Sequence, residues 1–346
     1  MLALKRKKKR AERTTHKLYP KITLQQALDI AIAGKKAEGL RERTLTDYIK
    51  MWRYFTDWLN ENYSDIEYVN ELTADIFRNY VNYLQYDAIR YDGHKFITNR
   101  EERGLKETTI NIRLRTYRSM LNYLEREELI EYNPMDNVRL LRQDVDLTNC
   151  LTDEEVKAVL AQPNQREYVG FRDFVIINLL LDSGLRINEA LNLRMEEIDF
   201  KTRFITLTGE RNKNRKPRYV PISAFVAKLL LQLIEENRAH FKTDRIFLSC
   251  FGELLGANHF NKRLKYYAEK AGIKGKKVTA HVYRHTWAKN MILNGCDPFT
   301  LQKMGGWADM RTMRRYIQMD TEEIRRSHDD FSPIAKLYQR ATKRVY

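Results

Sequence analysis

The chain has 346 residues, 43% hydrophobic, 31% charged and 11% aromatic. That is enough apolar material for two packed domains, and it excludes wholesale disorder; with only 14 Gly and 7 Pro, collagen-like and low-complexity architectures are excluded too. Lys and Arg number 62 against 46 Asp and Glu, a net charge of +16 that points to a polyanionic partner, and no apolar run reaches the roughly 18–20 residues that span a bilayer.

Residues 1–20 form a basic tail, cationic from Lys5 to Arg10, of a kind that is solvated when free and can follow phosphates. No apolar stretch of signal-peptide length follows those charges. Cys150, Cys250 and Cys296 make neither a zinc pattern nor a disulfide framework, so a cytoplasmic, reducing location is expected. Residues 21–132 carry helical periodicity. Leu45, Tyr48, Ile49, Trp52, Phe55 and Leu59 recur at three- and four-residue steps, the apolar stripe of one helix. A second helix is predicted in TADIFRNYVNYLQYD, with Thr73 as N-cap. A third is predicted in ETTINIRLRTYRSMLNYLEREEL, with Ile112, Tyr117, Met120, Leu121 and Leu124 inward. The polar, turn-rich DGHKFITNREERGLK between these two reads as a loop.

Residues 133–150 break the pattern after Pro134 and read as an interdomain linker. A second domain, 151–330, opens at LTDEEV, where Thr152 and Glu155 have the spacing of a capping box. In it, FVIINLLLDSGLRINEALNL reads as a buried helix, a break at Gly184 and a new helix. RFITLTGERNKNRKPRYVPI reads as a β-hairpin and ISAFVAKLLLQLIEEN as an amphipathic helix. Residues 331–346 form a tail, with Ile334, Leu337 and Tyr338 at helical spacing. The expected fold class is therefore mainly α, with one small β-sheet in the second domain.

There is no HExxH, no clustered His/Cys set, no P-loop and no dinucleotide glycine pattern, so neither a metal nor a nucleotide cofactor is expected. What stands out is an ordered set: Arg186 in SGLRINEALNLR, Lys213 in the hairpin turn, His281 and Arg284 on one face of AHVYRH, Trp307 after two glycines, and Tyr316 in MRRYIQMD. Each alone is ordinary. An arginine at a helix start is usually an ion pair, a buried tryptophan is usually core, and Tyr316 is one of 20 tyrosines. Short polar and basic side chains also gather on helical faces: Arg43 and Thr44; Thr108, Thr109, Asn111, Arg113 and Arg115; and Asn258, His259, Lys262 and Arg263. Such faces suit groove and phosphate contact, or are simply solvated.

Taken in order and spacing, the set resembles the tyrosine recombinase (phage integrase) family, in its simple two-domain kind. The pattern R…K…HxxR…H/W…Y is matched from Arg186 to Tyr316, with Lys213 in a strand–turn–strand before YVPI. Glu189 stands where the family has a carboxylate beside its first arginine. Trp307 stands where many members have histidine. The loop at 87–107 is long for the family, and the stretch before residue 21 is too short for a separate arm-binding domain. The resemblance implies a helical, SAM-like core-binding domain and a catalytic domain that close as a clamp around DNA. It implies no cofactor, and as partners double-stranded DNA with a specific recombination site and further copies of the chain, a tetramer on paired sites, with an accessory DNA-bending protein as a further candidate. No membrane partner is implied.

The residue types suit metal-free cleavage of a phosphodiester. The pentacovalent transition state carries more negative charge than the ground state, so fixed cations bind it preferentially. Arg186 and Arg284 offer planar forks to the non-bridging oxygens, and Glu189 supports the first. The Tyr316 phenol, with an ordinary pKa of about 10, must lose its proton on attack, and His281 is the candidate to assist. Lys213 is the candidate acid for the leaving 5′-oxygen, and the Trp307 indole a donor to phosphate. The product expected from the resemblance is a 3′-phosphotyrosyl link, resealed by a second 5′-hydroxyl without ATP. Competing readings are a non-catalytic DNA-binding regulator on the same fold, a strand swivelase with the same nucleophile, and a metal-dependent nuclease.

Overall fold

The computed structural model describes residues 18–90, 102–143, 150–209, 217–314, 319 and 321–334. The chain divides into two compact units, Met1–Val145 and Asp146–Tyr346. No helix among the described residues is long and apolar enough to cross a membrane.

The first unit is built from α1 (Leu24–Ala37), α2 (Glu42–Asn62), α3 (Ala74–Tyr86) and α4 (Glu107–Arg126). Caps set two of the starts. Thr23 and Gln26 form a reciprocal capping box on α1, and the Thr73 side chain accepts from the Ile76 amide on α3. Aromatic rings fill the centre. Phe55 stacks on Phe77 at 4.7 Å, and Tyr80 meets Phe55 edge-on at 5.2 Å, arrangements that ring quadrupoles favour. Ile112 departs from expectation: it is 48% exposed, whereas Ile110, Leu114, Tyr117, Leu121 and Leu124 are buried. These five keep the three- and four-residue steps of one helical face, and Ile112 lies two residues, about 200°, off that face. The loop at 87–107 is pinned at its neck, where Arg90 N–H donates to Glu102 O (3.0 Å) and Gly104, at φ +78°, donates to Ala88 O (2.9 Å).

The stretch predicted as a linker from 133 folds back instead. Met135 and Val138 are buried in the core of the first unit, with Leu140 and Leu141 packed against it. Pro134 ends the helical pattern but not the domain. Arg118 Nη2 donates to the carbonyls of Met135 (3.1 Å) and Val138, and Asn133, itself buried, accepts from the Met135 amide (2.8 Å).

The second unit contains α5 (Asp153–Leu160), α6 (Tyr168–Ser183), α7 (Ile187–Leu191), β1 (Ile198–Asp199), β2 (Phe204–Leu207), β3 (Arg218–Pro221), α8 (Ala224–His240), α9 (Ala257–Lys270), α10 (Ala280–Leu293), α11 (Pro298–Gly305), α12 (Met310–Arg314) and α13 (Thr321–Phe331). The Thr152–Glu155 capping box starts α5. The strands form an antiparallel sheet in the order β1-β2-β3, with Phe204 opposite Pro221 and Leu207 opposite Arg218. The two-residue β1 had no signal in the sequence. Nearly all of the inner face of α6 is buried, and the helix ends at Gly184 in the left-handed region (φ +59°). A Cβ there would lie 2.0 Å from the Trp287 ring, so only glycine lets the chain pass under Trp287 and turn at once into α7. That turn delivers Arg186 to the N-cap of α7. A separate apolar cluster of Trp287, Ala288, Leu301, Trp307 and Met313 joins α10, α11 and α12.

A candidate phosphate-binding centre

Arg186 caps α7 and is tied to it twice. Its backbone N–H donates to Glu189 Oε2 (2.9 Å) and its Nη1 to Glu189 Oε1 (2.9 Å). Its Nη2 reaches across to the carbonyl of Gly306 (3.1 Å). These are the only partners of its fork among the described residues, and the side chain remains 27% exposed. Arg284, one turn into α10, is 2% exposed. Its Nη1 donates to Gly184 O and its Nη2 to Gly305 O (2.6 Å), while its guanidinium lies 4.4 Å over the Trp307 ring. Two forks from two helices thus dock on successive peptide oxygens of one turn.

The turn itself is built for this. Gly306 sits at φ +63°, and a Cβ on Gly305 would fall 2.1 Å from the Trp307 ring. Trp307, 6% exposed, stacks on Trp287 at 6.0 Å with an interplanar angle of 25°. The turn follows α11, whose first residue Pro298 and N-cap Asp297 start it in the usual way.

His281 stands at the exposed start of α10, one turn before Arg284. Its ring meets that of His285 edge-on at 4.4 Å. Partial desolvation, then the charges of Arg284 and Arg186, hold His281 below the ordinary value of 6.5. His285, half-buried, is pushed down to about 4 by burial and then by His281 and Arg284. Both imidazoles are therefore neutral near pH 7, the state a proton acceptor requires.

Glu189 has a second guanidinium, one the sequence reading passed over. Arg218 of β3 donates to it from Nη2 (2.7 Å to Oε2) and Nη1 (3.3 Å to Oε1), and it is 6% exposed. Burial acts to raise the Glu189 pKa, but Arg218, Arg186 and the Arg186 amide outweigh it and hold the carboxyl below the usual range. Arg218 is lowered, by burial first; Glu189 opposes the shift and Arg186 adds to it. The available signal was alternation: in a strand RYVP, Arg218 shares its face with the fully buried Val220. A cation on the inward face needs a buried partner.

Lys213 and Tyr316 lie outside the described residues, as do positions 1–17 of the basic tail and 335–346 of the C-terminal tail. The expected DNA-contact residues divide. Arg43, Thr44, Thr108, Thr109, Arg115, Asn258, His259 and Lys262 are exposed. Arg113 is half-buried, its guanidinium 4.5 Å over Tyr54 and its Nη1 3.2 Å from the Tyr80 hydroxyl. Two readings are corrected. Asn111 is 1% exposed, and its amide clasps the Leu141 backbone, donating to the carbonyl (2.9 Å) and accepting from the N–H (2.9 Å). Arg263 turns inward: its Nε donates to Asp173, a carboxylate fully buried on α6, and its Nη2 to the Tyr267 hydroxyl. That carboxylate is also held by Arg172 through Oδ1 and by the Tyr267 hydroxyl through Oδ2, so Arg263 completes a buried cluster rather than facing solvent.

Asn111→Ala is accordingly expected to lower stability by about 1–3 kcal/mol, since it removes both bonds of the clasp and leaves two partly buried backbone groups without them. Exposed Thr108→Ala should stay within about 0.5 kcal/mol of the parent. Urea midpoints of the two variants check this; equal midpoints would show that the clasp contributes nothing.

Two forks, a neutral imidazole and an indole gather around one turn, donors of the kind a phosphate oxyanion would need, and the chain around them matches known proteins. Residues 149–323 match the phage integrase family, and residues 23–140 match the phage integrase SAM-like domain. The chain belongs to the phage integrase family, the tyrosine-type site-specific DNA recombinases. It is 28% identical over 249 residues to tyrosine recombinase XerC of Pelotomaculum thermopropionicum, covering 70% of this chain and 80% of the relative. It is 30% identical over 228 residues to XerC of Chlamydia caviae (65% and 72%) and 29% over 246 residues to XerD of Proteus mirabilis (70% and 78%). Among solved structures, the fold is shared with the Tn1549 transposon integrase in complex with transposon right end DNA (TM-score 0.68, 18% identity, 90% of this chain and 100% of that one). It is shared too with the XerH recombinase bound to palindromic difH substrate in a post-cleavage complex (TM-score 0.66, 20% identity, 89% and 84%).

Proposed function

We propose that this recombinase cuts and rejoins DNA strands through a covalent 3′-phosphotyrosyl link at Tyr316, with no metal or nucleotide cofactor. The observation that carries the reading is the docking of Arg186 and Arg284 on Gly306 and Gly305 beside Trp307 and His281. Arg186 presents the more open fork to a non-bridging oxygen. Arg284 is a buried cation beneath it, stabilising charge that develops on phosphorus in a poorly screened setting. Neutral His281 takes the phenolic proton as Tyr316 attacks phosphorus, and Lys213 protonates the departing 5′-oxygen. The P–O5′ bond breaks as the P–O(Tyr) bond forms, so the ester energy is kept. A second 5′-hydroxyl reverses the step on a new strand.

Each of the two domains contributes to the grip on the duplex, and four copies act on two paired sites, in the compartment that holds the DNA. The exposed Arg43, Thr44, Thr108, Thr109, Arg115, Asn258, His259 and Lys262 serve groove and backbone contact, with Arg113 beside them. The net charge of +16 supports a grip dominated by phosphate contacts. The resemblance to a transposon integrase supports a mobile element as the setting.

The test is a nicked recombination site that loses a short fragment on cleavage and so traps the enzyme on DNA. Digestion and mass analysis of the adduct should place the nucleotide on Tyr316. An adduct on another residue overturns the assignment. Tight binding to the site with no adduct on any strand would instead make the chain a DNA-binding regulator.

A further inference from the structure

We propose that Arg218 is a positioning residue for strand cleavage, aiming Arg186 at the scissile phosphate by locking Glu189 between two guanidinium groups. The inference rests on the reading of the chain as a phosphodiester-cleaving enzyme.

Three contacts carry it. Arg218 grips both oxygens of Glu189, the same two oxygens that receive Arg186 Nη1 and the Arg186 amide. A carboxylate with one arginine can rotate about its last torsion; one held by forks from two directions cannot. Next, Arg218 packs against Gly306, where a Cβ would come 2.3 Å from its Nη1. Gly306 supplies the other acceptor of Arg186. Arg218 therefore touches both groups that anchor Arg186, although the two arginines are joined by no bond. Finally, Arg218 opens β3, the strand that follows Lys213 in the chain, and it pairs opposite Leu207 on β2. The base of that hairpin is thus fixed relative to Glu189.

Stability alone is a poor reason for this arrangement. Two cations share one carboxylate in a largely dry site, and like charges there oppose one another. A neutral pair of similar volume would hold β3 to α7 at lower electrostatic cost. What the third charged group adds is a fixed direction for the fork of Arg186, whose other N–H groups have no partner among the described residues. Removing Arg218 leaves Glu189 with only the two bonds from Arg186 itself, so nothing outside α7 fixes the direction in which the carboxylate holds that fork.

The experiment is a double-mutant cycle on the full chain, read as single-turnover cleavage of the nicked site at saturating protein, with DNA affinity and melting temperature measured alongside. Arg218→Gln should slow cleavage by about 100-fold, the cost of a misplacement near 1 Å, with DNA affinity within about twofold of the parent. Arg218→Lys, which keeps the charge but not the fork, should recover part of the rate. In an Arg186→Gln background, Arg218→Gln should cost less than about threefold, because a residue that acts through Arg186 has nothing left to aim. If the two losses multiply, or if Arg218→Gln cleaves at the parental rate, the proposal is wrong. Should Arg218→Gln fail to fold, the cycle is run with Arg218→Lys on the same criterion. The parent enzyme separates the two levels of inference: a parent that never forms an adduct overturns the cleavage reading and this proposal with it, whereas a cleaving parent with additive losses overturns this proposal alone.

Discussion

Arg284→Lys is expected to lower single-turnover strand cleavage by about 10²–10³-fold, the usual cost of losing one preorganised donor to a developing oxyanion. The geometry says why charge alone will not suffice. Arg284 spans two carbonyls on different segments, Gly184 at the end of α6 and Gly305 at the end of α11, and covers the Trp307 ring at 4.4 Å. A planar fork does all three at once; an ammonium is a point charge with a strong demand for water. Lysine at this nearly fully buried position would satisfy at most one of the carbonyls and leave the other without its bond. DNA affinity should change little, since most of the phosphate grip lies elsewhere. Rapid-quench cleavage assays, with a filter-binding control, measure both. A loss under about tenfold, or 1.4 kcal/mol, would exclude Arg284 from transition-state stabilisation.

The second large effect concerns stability. Glu189→Ala should destabilise the catalytic domain by about 3–5 kcal/mol, the range for breaking a buried ion pair from one side. Among the described residues, this carboxylate is the anion that pairs with both Arg186 and Arg218, and the Arg218 side chain is 6% exposed. Without it, two guanidinium groups face each other across a cavity. The pH dependence has a definite sign. The folded-state pKa of Glu189 lies below its ordinary value of 4.5, so the unfolded chain takes up the proton first as pH falls. The contribution of Glu189 is complete above the unfolded value and is lost as pH drops through the folded one. The parent should therefore lose stability below about pH 4.5, and the gap between parent and Glu189→Ala should narrow there. Denaturant midpoints at neutral and acid pH test this. A gap under about 1 kcal/mol at neutral pH, the range of an exposed pair, would mean that solvent already screens the triad.

How much of this was legible beforehand depended on the kind of signal. The helices of the first unit are written in three- and four-residue apolar steps; Thr73 in that unit and Thr152 in the second mark helix starts by a local hydrogen bond that needs no tertiary information. Arg186, Glu189, His281, Arg284 and Trp307 stood out through a resemblance in order and spacing to a known family; local geometry accounts only for the N-cap place of Arg186 after the glycine break and for the one-turn step from His281 to Arg284. What the sequence concealed was nonlocal. Asn111 looks like any polar residue at a helix start, and only the return of 133–141 over the first unit buries it. Arg263 sits on a face of α9 that reads as basic and solvated until Asp173, ninety positions away, is brought beneath it. Arg218 stands in a strand of four residues, where alternation can place it on the inward face but cannot name its partner, a carboxylate 29 positions earlier.

The paired glycines after α11 have a consequence for how substitutions will propagate. Arg284 and Arg186 are moored to adjacent peptide units, Gly305 and Gly306, and Met313 of α12 shares an apolar cluster with the Trp307 that follows them. The chain segment that runs on toward Tyr316 and the two cations that would receive the phosphate are thus coupled through one peptide hinge. On the mechanism proposed above, disturbing that hinge would act on the two cations and on the segment leading to Tyr316 together, so lesions in α11 or α12 should produce graded loss of the whole reaction rather than selective loss of one chemical step.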